Sequence, residues 1–246
     1  MLLITLTLLI IFIVCAFNFK PQLKFLHLVL YSNDTNYDCI YKITSKYYKK
    51  FNNVKTIYYT YSSDIQNNYS LIGDMLYIKG KESYLPGILE KTIKAFEYNF
   101  NYDYDYIVRS NISTIVNFDL LNKELIKKPI DYGAGRILNL QWIDEKCGVI
   151  DKTYFGTNYA SGTSIIISKN AINLLNLNKN LINYDLIDDL SIGVLFKELN
   201  IIPQEIGSIL DVKEYTDKKY TFYRNKNVDR SLDCKHINYI INKNKW

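Results

Sequence analysis

From Phe25 to Val108 two hydrophobic rhythms alternate, and this limits what the chain can fold into more than any other feature. The runs "FLHLVLY" (Phe25–Tyr31), "VKTIYYTY" (Val54–Tyr61) and "DMLYIKG" (Asp74–Gly80) are short and rich in β-branched and aromatic residues, so they read as strands. Between the first two lies "YDCIYKITSKYYKKF", an amphipathic helix ending near Phe51. After the third, "YLPGILEKTIKAFEY" puts Leu85, Ile88, Leu89, Ile93 and Phe96 on one helical face. Pro86 falls in the first turn of that helix, where a missing amide is tolerated. Tyr106 to Val108 reads as the next strand. Strand and helix in alternation predict an α/β fold with a mostly parallel sheet flanked by helices.

Sheets of that kind bind ligands beyond the carboxyl ends of their strands. Two such ends carry polar residues: Tyr31-Ser32-Asn33-Asp34, and Arg109-Ser110-Asn111-Ile112-Ser113. The second half is less periodic. "DYGAGRILNLQWIDEKCGVIDKTYFGTNY" mixes glycines and aromatics and reads as loops and short strands. A turn at Ser161-Gly162 then precedes a strand, Ser164 to Ile167, and a helix capped by Ser168. A further helix begins at Asp188 and Asp189, with Leu190, Val194, Leu195 and Leu199 as its apolar side. No repeat and no linker divides residues 25–246, so the sequence predicts a single domain there.

Of the 246 residues 48% are hydrophobic and 22% charged, enough for a large core and unlike a disordered chain. The net charge of +5 suits an acidic ligand, but no basic run with interleaved aromatics points to nucleic acid. Cys39, Cys147 and Cys234 show no metal-ligand spacing. His27, inside an apolar strand, reads as core. Residues 1–18 begin with an uncharged apolar run, which predicts a signal anchor and a single-pass membrane location. A cleaved signal peptide and a buried helix are the alternatives. Lys20 and Lys24 after the segment weakly favour a cytoplasmic domain, and the side of the membrane stays open.

Two stretches carry a resemblance. "ESYLPGILEKTIKAFEYNF…YDYIVRSNISTIVNFDLL" and "YASGTSIIISKNAINLL…IDDLSIGVLFKELNI" resemble, in order and spacing, the core of the Fringe-like β-1,3-glycosyltransferases. The resemblance runs from about Phe25 to Ile202. It implies a GT-A-like (Rossmann-like) fold, a nucleotide-sugar donor, UDP-sugar foremost, and a glycan or glycoprotein acceptor. The family usually uses Mn²⁺, held by an acidic triplet at a strand end. Here Asn111, Ile112 and Ser113 stand in that place, and these are poor ligands for a hard cation. The strand end is closer to a looser group of viral and bacterial glycosyltransferase-like sequences with basic tails. No metal is therefore expected, although Asp105 or Asp119 could supply a misplaced site.

The candidate site follows. Asp188 and Asp189 match the family's acidic pair, with Asp189 expected as the base that takes the acceptor's proton and Asp188 as a helix cap. Tyr31, Ser32, Arg109, Asn111, Ser113, Ser161 and Gly162 are expected to hold the nucleotide-sugar. Arg224, Lys226 and Arg230, in the tail "YRNKNVDRSLDCKHINYI", are expected to hold the diphosphate in place of a metal. Each has a plainer reading: the tail as a solvated face and the strand ends as turns. Trp142 either stacks on an acceptor sugar or packs half-buried. The rival class is a glycosyltransferase-like fold without catalysis that binds a glycan or a protein partner.

Overall fold

The computed structural model describes residues 22–33, 35–212, 218–225, 227 and 229–243. Its thirteen strands, numbered in chain order, begin with β1 (Phe25–Leu30), β2 (Val54–Ser62), β3 (Tyr69–Ile72), β4 (Met75–Lys79), β5 (Tyr106–Asn111) and β6 (Thr114–Val116). They continue with β7 (Tyr132–Ala134), β8 (Ile137–Asn139), β9 (Asn158–Ala160), β10 (Ser164–Ser168), β11 (Gln204–Glu205), β12 (Ile209–Val212) and β13 (Phe222–Asn225). The helices are α1 (Thr35–Tyr48), α2 (Gly87–Tyr98), α3 (Phe118–Lys127), α4 (Lys169–Leu177), α5 (Asp188–Glu198) and α6 (Ser231–Lys243).

Eight strands form the main sheet in the order β11-β7-β10-β5-β1-β2-β4-β3. The pairs β5-β1, β1-β2, β2-β4 and β11-β7 are parallel, while β10 runs against both neighbours and β3 against β4. The mixed α/β class with a mostly co-directional sheet agrees with the sequence expectation. The hairpin partner β3 and the strands β12 and β13 were not expected. The anchor expected at residues 1–18 lies outside the described residues, and among the described residues no helix is long and apolar enough to cross a membrane.

Both faces of the sheet are covered, which is why its central strands read as near-continuous apolar runs. Side chains alternate along β1: Phe25 and Val29 pack toward α1, α3 and α6, whereas Leu26 and Leu28 pack toward α2, α4 and α5. His27 is fully buried on the first face, with Nε2 2.8 Å from the Ser110 hydroxyl and its ring edge-on to Tyr48 and Phe118. Burial pushes it down to about 3, so it stays neutral. Cys39 on α1 and Cys234 on α6 form a disulfide, joining the two helices on this face.

Registry brings the polar ends together. Leu30 at the end of β1 pairs with Asn111 at the end of β5, and Ser164 at the start of antiparallel β10 pairs with Ser110. The Ser161-Gly162 turn before β10 therefore sits at the same sheet edge as the "RSNIS" strand end. Just beyond, β6 leaves the main sheet and joins β13 and β12 in a second sheet of three strands, with Arg224 paired to Thr114. The Asn225 amide donates to the Ser113 carbonyl at 3.0 Å. The basic tail is thus stitched directly to the strand end it was expected to serve.

Gly193 sets how closely α5 approaches β9. A Cβ added there would stand 2.3 Å from the Tyr159 Cβ, closer than any packing allows. Gly193→Ala is expected to lower unfolding stability by about 1–3 kcal/mol, the usual cost of overpacking. Urea denaturation measures this, and an unchanged midpoint would mean that α5 lies further from β9.

Candidate active site

Arg109, on β5, is almost wholly buried, and its guanidinium is engaged on every side. Nη2 pairs with the Asp188 carboxylate, and Nη1 donates to the Gly162 carbonyl and, at 3.0 Å, to Asn111 Oδ1. Nε donates to the Tyr59 hydroxyl at 3.3 Å. Burial works against its charge, but Asp188, Tyr59 and Asp189 outweigh burial and raise its pKa. One side chain thereby ties together β2, the end of β5, the Ser161-Gly162 turn and the first residue of α5.

This alters one expectation. Asp188 does not cap α5: the N-cap is Ile187, which makes no side-chain bond, and Asp188 is the first helical residue. Its carboxylate is drawn instead to the buried Arg109, a far stronger partner than a helix amide in water. Asp189 is half-buried and held by two amides, Gly162 N–H to Oδ2 at 2.8 Å and Leu190 N–H to Oδ1 at 2.9 Å. Burial and the adjacent Asp188 carboxylate push Asp189 up to about 6, against the pull of both amides and Arg109. A carboxylate so tuned is mostly ionised at neutral pH and still basic enough to accept a proton.

Asp189 opens into a cavity of about 280 Å³ walled also by Trp142, Asp144, Ser161, Gly162 and Arg224. A second cavity, of about 530 Å³, is walled by Ser32, Glu82, Lys91, Asn111, Ser113 and Arg230. The two share Leu30, Tyr84, Ile88 and Asn111 as walls, so they adjoin at the ends of β1 and β5. Arg230 pairs with Asp233 at 2.9 Å and lies over the Tyr37 ring, yet 36% of its side chain stays exposed, and it walls the second cavity. Arg224 is half-buried in the first cavity, where burial lowers its pKa, with Asp211 opposing and Arg136 and Arg230 adding to the fall.

Most of the expected site residues therefore gather at one cleft: Asp188, Asp189, Arg109, Asn111, Ser161, Gly162 and Arg224 at the first cavity, Ser32, Asn111, Ser113 and Arg230 at the second. Tyr31 stands apart, buried, with its hydroxyl donating to Asp38 at 2.5 Å. Lys226 lies outside the described residues. Sequence reasoning missed Glu82 and Lys91. The signal for Lys91 was present: it follows Ile88 by three and precedes Ala95 by four, which puts a lysine on the buried face of α2.

The residues at the strand end do not fit the divalent cation that the sequence resemblance usually implies. Asn111, Ile112 and Ser113 offer no carboxylate, and among the described residues no group of three or more His, Cys, Asp or Glu side chains is placed to hold a metal.

Comparison with known proteins adds little. No family model and no curated protein matches the chain. Similar solved structures include a glycosyltransferase involved in the glycosylation of the major capsid of PBCV-1, at a TM-score of 0.49 and 12% identity over 87% of this chain and 98% of that one. Another is the inositol-1-phosphate CTP transferase from T. maritima, at 0.46 and 10% over 89% and 98%. Likeness this faint fixes neither family nor reaction.

Arg109→Met is expected to destabilise the fold by about 3–5 kcal/mol, because it strands the buried Asp188 charge. Arg109→Met combined with Asp188→Leu should recover much of that loss. Chemical denaturation of the three proteins checks this, and equal loss in the single and double variants would mean that the pair is not coupled.

Proposed function

We propose that the chain is an inverting glycosyltransferase with a GT-A-like fold, moving a sugar from a nucleotide-sugar, UDP-sugar foremost, to a glycan or glycoprotein acceptor. The observation that carries this reading is the position of Asp189. A carboxylate pushed up to about 6 faces one cavity, and the adjoining cavity is walled by hydroxyl, amide and guanidinium groups.

In this reading the acceptor hydroxyl enters the first cavity and gives its proton to Asp189. Its oxygen attacks the anomeric carbon from the face opposite the departing diphosphate, and the bond from that carbon to the diphosphate oxygen breaks. The negative charge that leaves is met by Arg230 and Arg224 through charge-assisted hydrogen bonds, with Asn111 and Ser113 as neutral donors. Arg109 touches neither partner; it holds Asp188, Gly162 and Asn111 where Asp189 and the donor need them. The exposed Trp142 ring offers an apolar wall for an acceptor sugar.

Residues 1–18 belong to this proposal as a membrane anchor. The Cys39–Cys234 disulfide supports a domain on the oxidising side of that membrane, since such bonds persist in oxidising compartments. It weighs against the cytoplasmic placement that Lys20 and Lys24 weakly favour.

Three outcomes test the reading. Asp189→Asn should lower kcat by about 10²–10⁴, the range for a general base, and leave UDP affinity unchanged. For the wild type, kcat/KM should fall as pH drops through about 6, because the base must be ionised and protonation removes it. Arg230→Ala should weaken UDP binding by about 1.5–3 kcal/mol while uridine binding holds. Stable protein with no turnover on any nucleotide-sugar would favour the non-catalytic rival instead.

A further inference from the structure

The second cavity contains a charged pair that the proposed transfer does not use. Lys91 is buried on α2 with its side chain 2% exposed, and its ammonium is wholly engaged. It donates to the Tyr31 carbonyl at 3.0 Å and to the two Glu82 oxygens at 2.8 and 2.7 Å. Three donors meet three acceptors, so Lys91 has no proton left for a phosphate.

Glu82 is the partner that faces outward. Its Oε1 also accepts from the Thr60 hydroxyl and the Tyr61 amide, both at 3.0 Å, which fixes the carboxylate in place. Among the described residues its Oε2 is met by Lys91 alone, and the side chain is 36% exposed on the cavity wall. A carboxylate locked in this way is a preformed acceptor for hydroxyl donors, and it repels phosphate. Arg230 on the same cavity does the opposite. A nucleotide entering the cavity is therefore oriented by charge, its phosphates toward Arg230 and its sugar hydroxyls toward Glu82.

Resting on the proposed function, we infer that Glu82 is a ribose-binding residue, accepting a hydrogen bond from the 2′-hydroxyl of the donor nucleotide, and that Lys91 is a positioning residue holding that carboxylate. Carboxylates serve ribose in this manner at the strand ends of other α/β sheets. The site would then discriminate ribonucleotides from deoxyribonucleotides.

The test is a calorimetric titration of the full chain with UDP, dUDP and CDP, repeated on the double variant Glu82→Gln/Lys91→Met. Gln retains the contacts to Thr60 and Tyr61, and Met fills the space of Lys91 without leaving a lone buried charge. The wild type should bind UDP about tenfold more tightly than dUDP, the loss expected when a charged hydrogen bond is removed. In the double variant that preference should vanish. Equal wild-type binding of UDP and dUDP overturns the ribose assignment while the transferase reading stands. So does a preference that survives in the variant. Discrimination against CDP that the variant abolishes would put the base there and also overturn it. If circular dichroism shows the double variant unfolded, Glu82→Asp serves instead. It retains the charge but withdraws it by one methylene, and an undiminished preference for UDP overturns the assignment. No UDP binding by the wild type overturns this inference and the proposed function together.

Discussion

A single buried ion pair organises the site. Arg109 lies near the carboxyl end of β5, and Asp188 is the first residue of α5. A guanidinium buried this deeply is costly unless its donors are met, and here Tyr59, Asn111, Gly162 and Asp188 meet four of the five. Because those four groups come from β2, β5, the turn before β10 and α5, the pair fixes the relative position of four elements. Asp189 depends on it twice. Its Oδ2 accepts from the Gly162 amide, whose residue Arg109 holds by the carbonyl, and its pKa is raised in part by Asp188.

Much of this was legible in the sequence, and the reasons differ from place to place. The strands Phe25–Leu30 and Val54–Ser62 and the helix Gly87–Tyr98 were readable because hydrophobic period alone defines them. Ser168 was readable as a cap because it directly precedes the helix, and its hydroxyl does accept from the Ala171 amide while donating to Asp131 at 2.7 Å. The same reasoning misassigned Asp188, since nothing local reveals that an arginine 79 positions earlier reaches its carboxylate. Long-range charge pairing has no sequence period. Glu82 escaped for the same reason, whereas Lys91 was readable from its place on the apolar face of α2; the strand pairing of Arg224 with Thr114 is equally long-range and has no local signal.

The arrangement of charge then separates two tasks that often fall to one metal ion. The strand end that would carry carboxylates carries an amide and a hydroxyl, and the neighbouring cations lie on a tail brought in by β13. The Cys39–Cys234 bond and the Arg230 contact with Tyr37 hold that tail against α1. In the proposed transfer acid–base work falls to Asp189, which walls one cavity, while Arg230 walls the other, and Asn111 is shared by both. Guanidinium groups can neutralise a departing diphosphate without a preassembled cluster of acids, which would otherwise need its own countercharge.

In the proposed transfer protein cations, and not a bound metal, hold the diphosphate in this cleft. Titrating the full chain with UDP in excess EDTA, and again with added Mn²⁺, tests it most directly. Saturable binding in EDTA is expected, with an affinity that Mn²⁺ leaves unchanged. Binding that appears only when Mn²⁺ is supplied would contradict it.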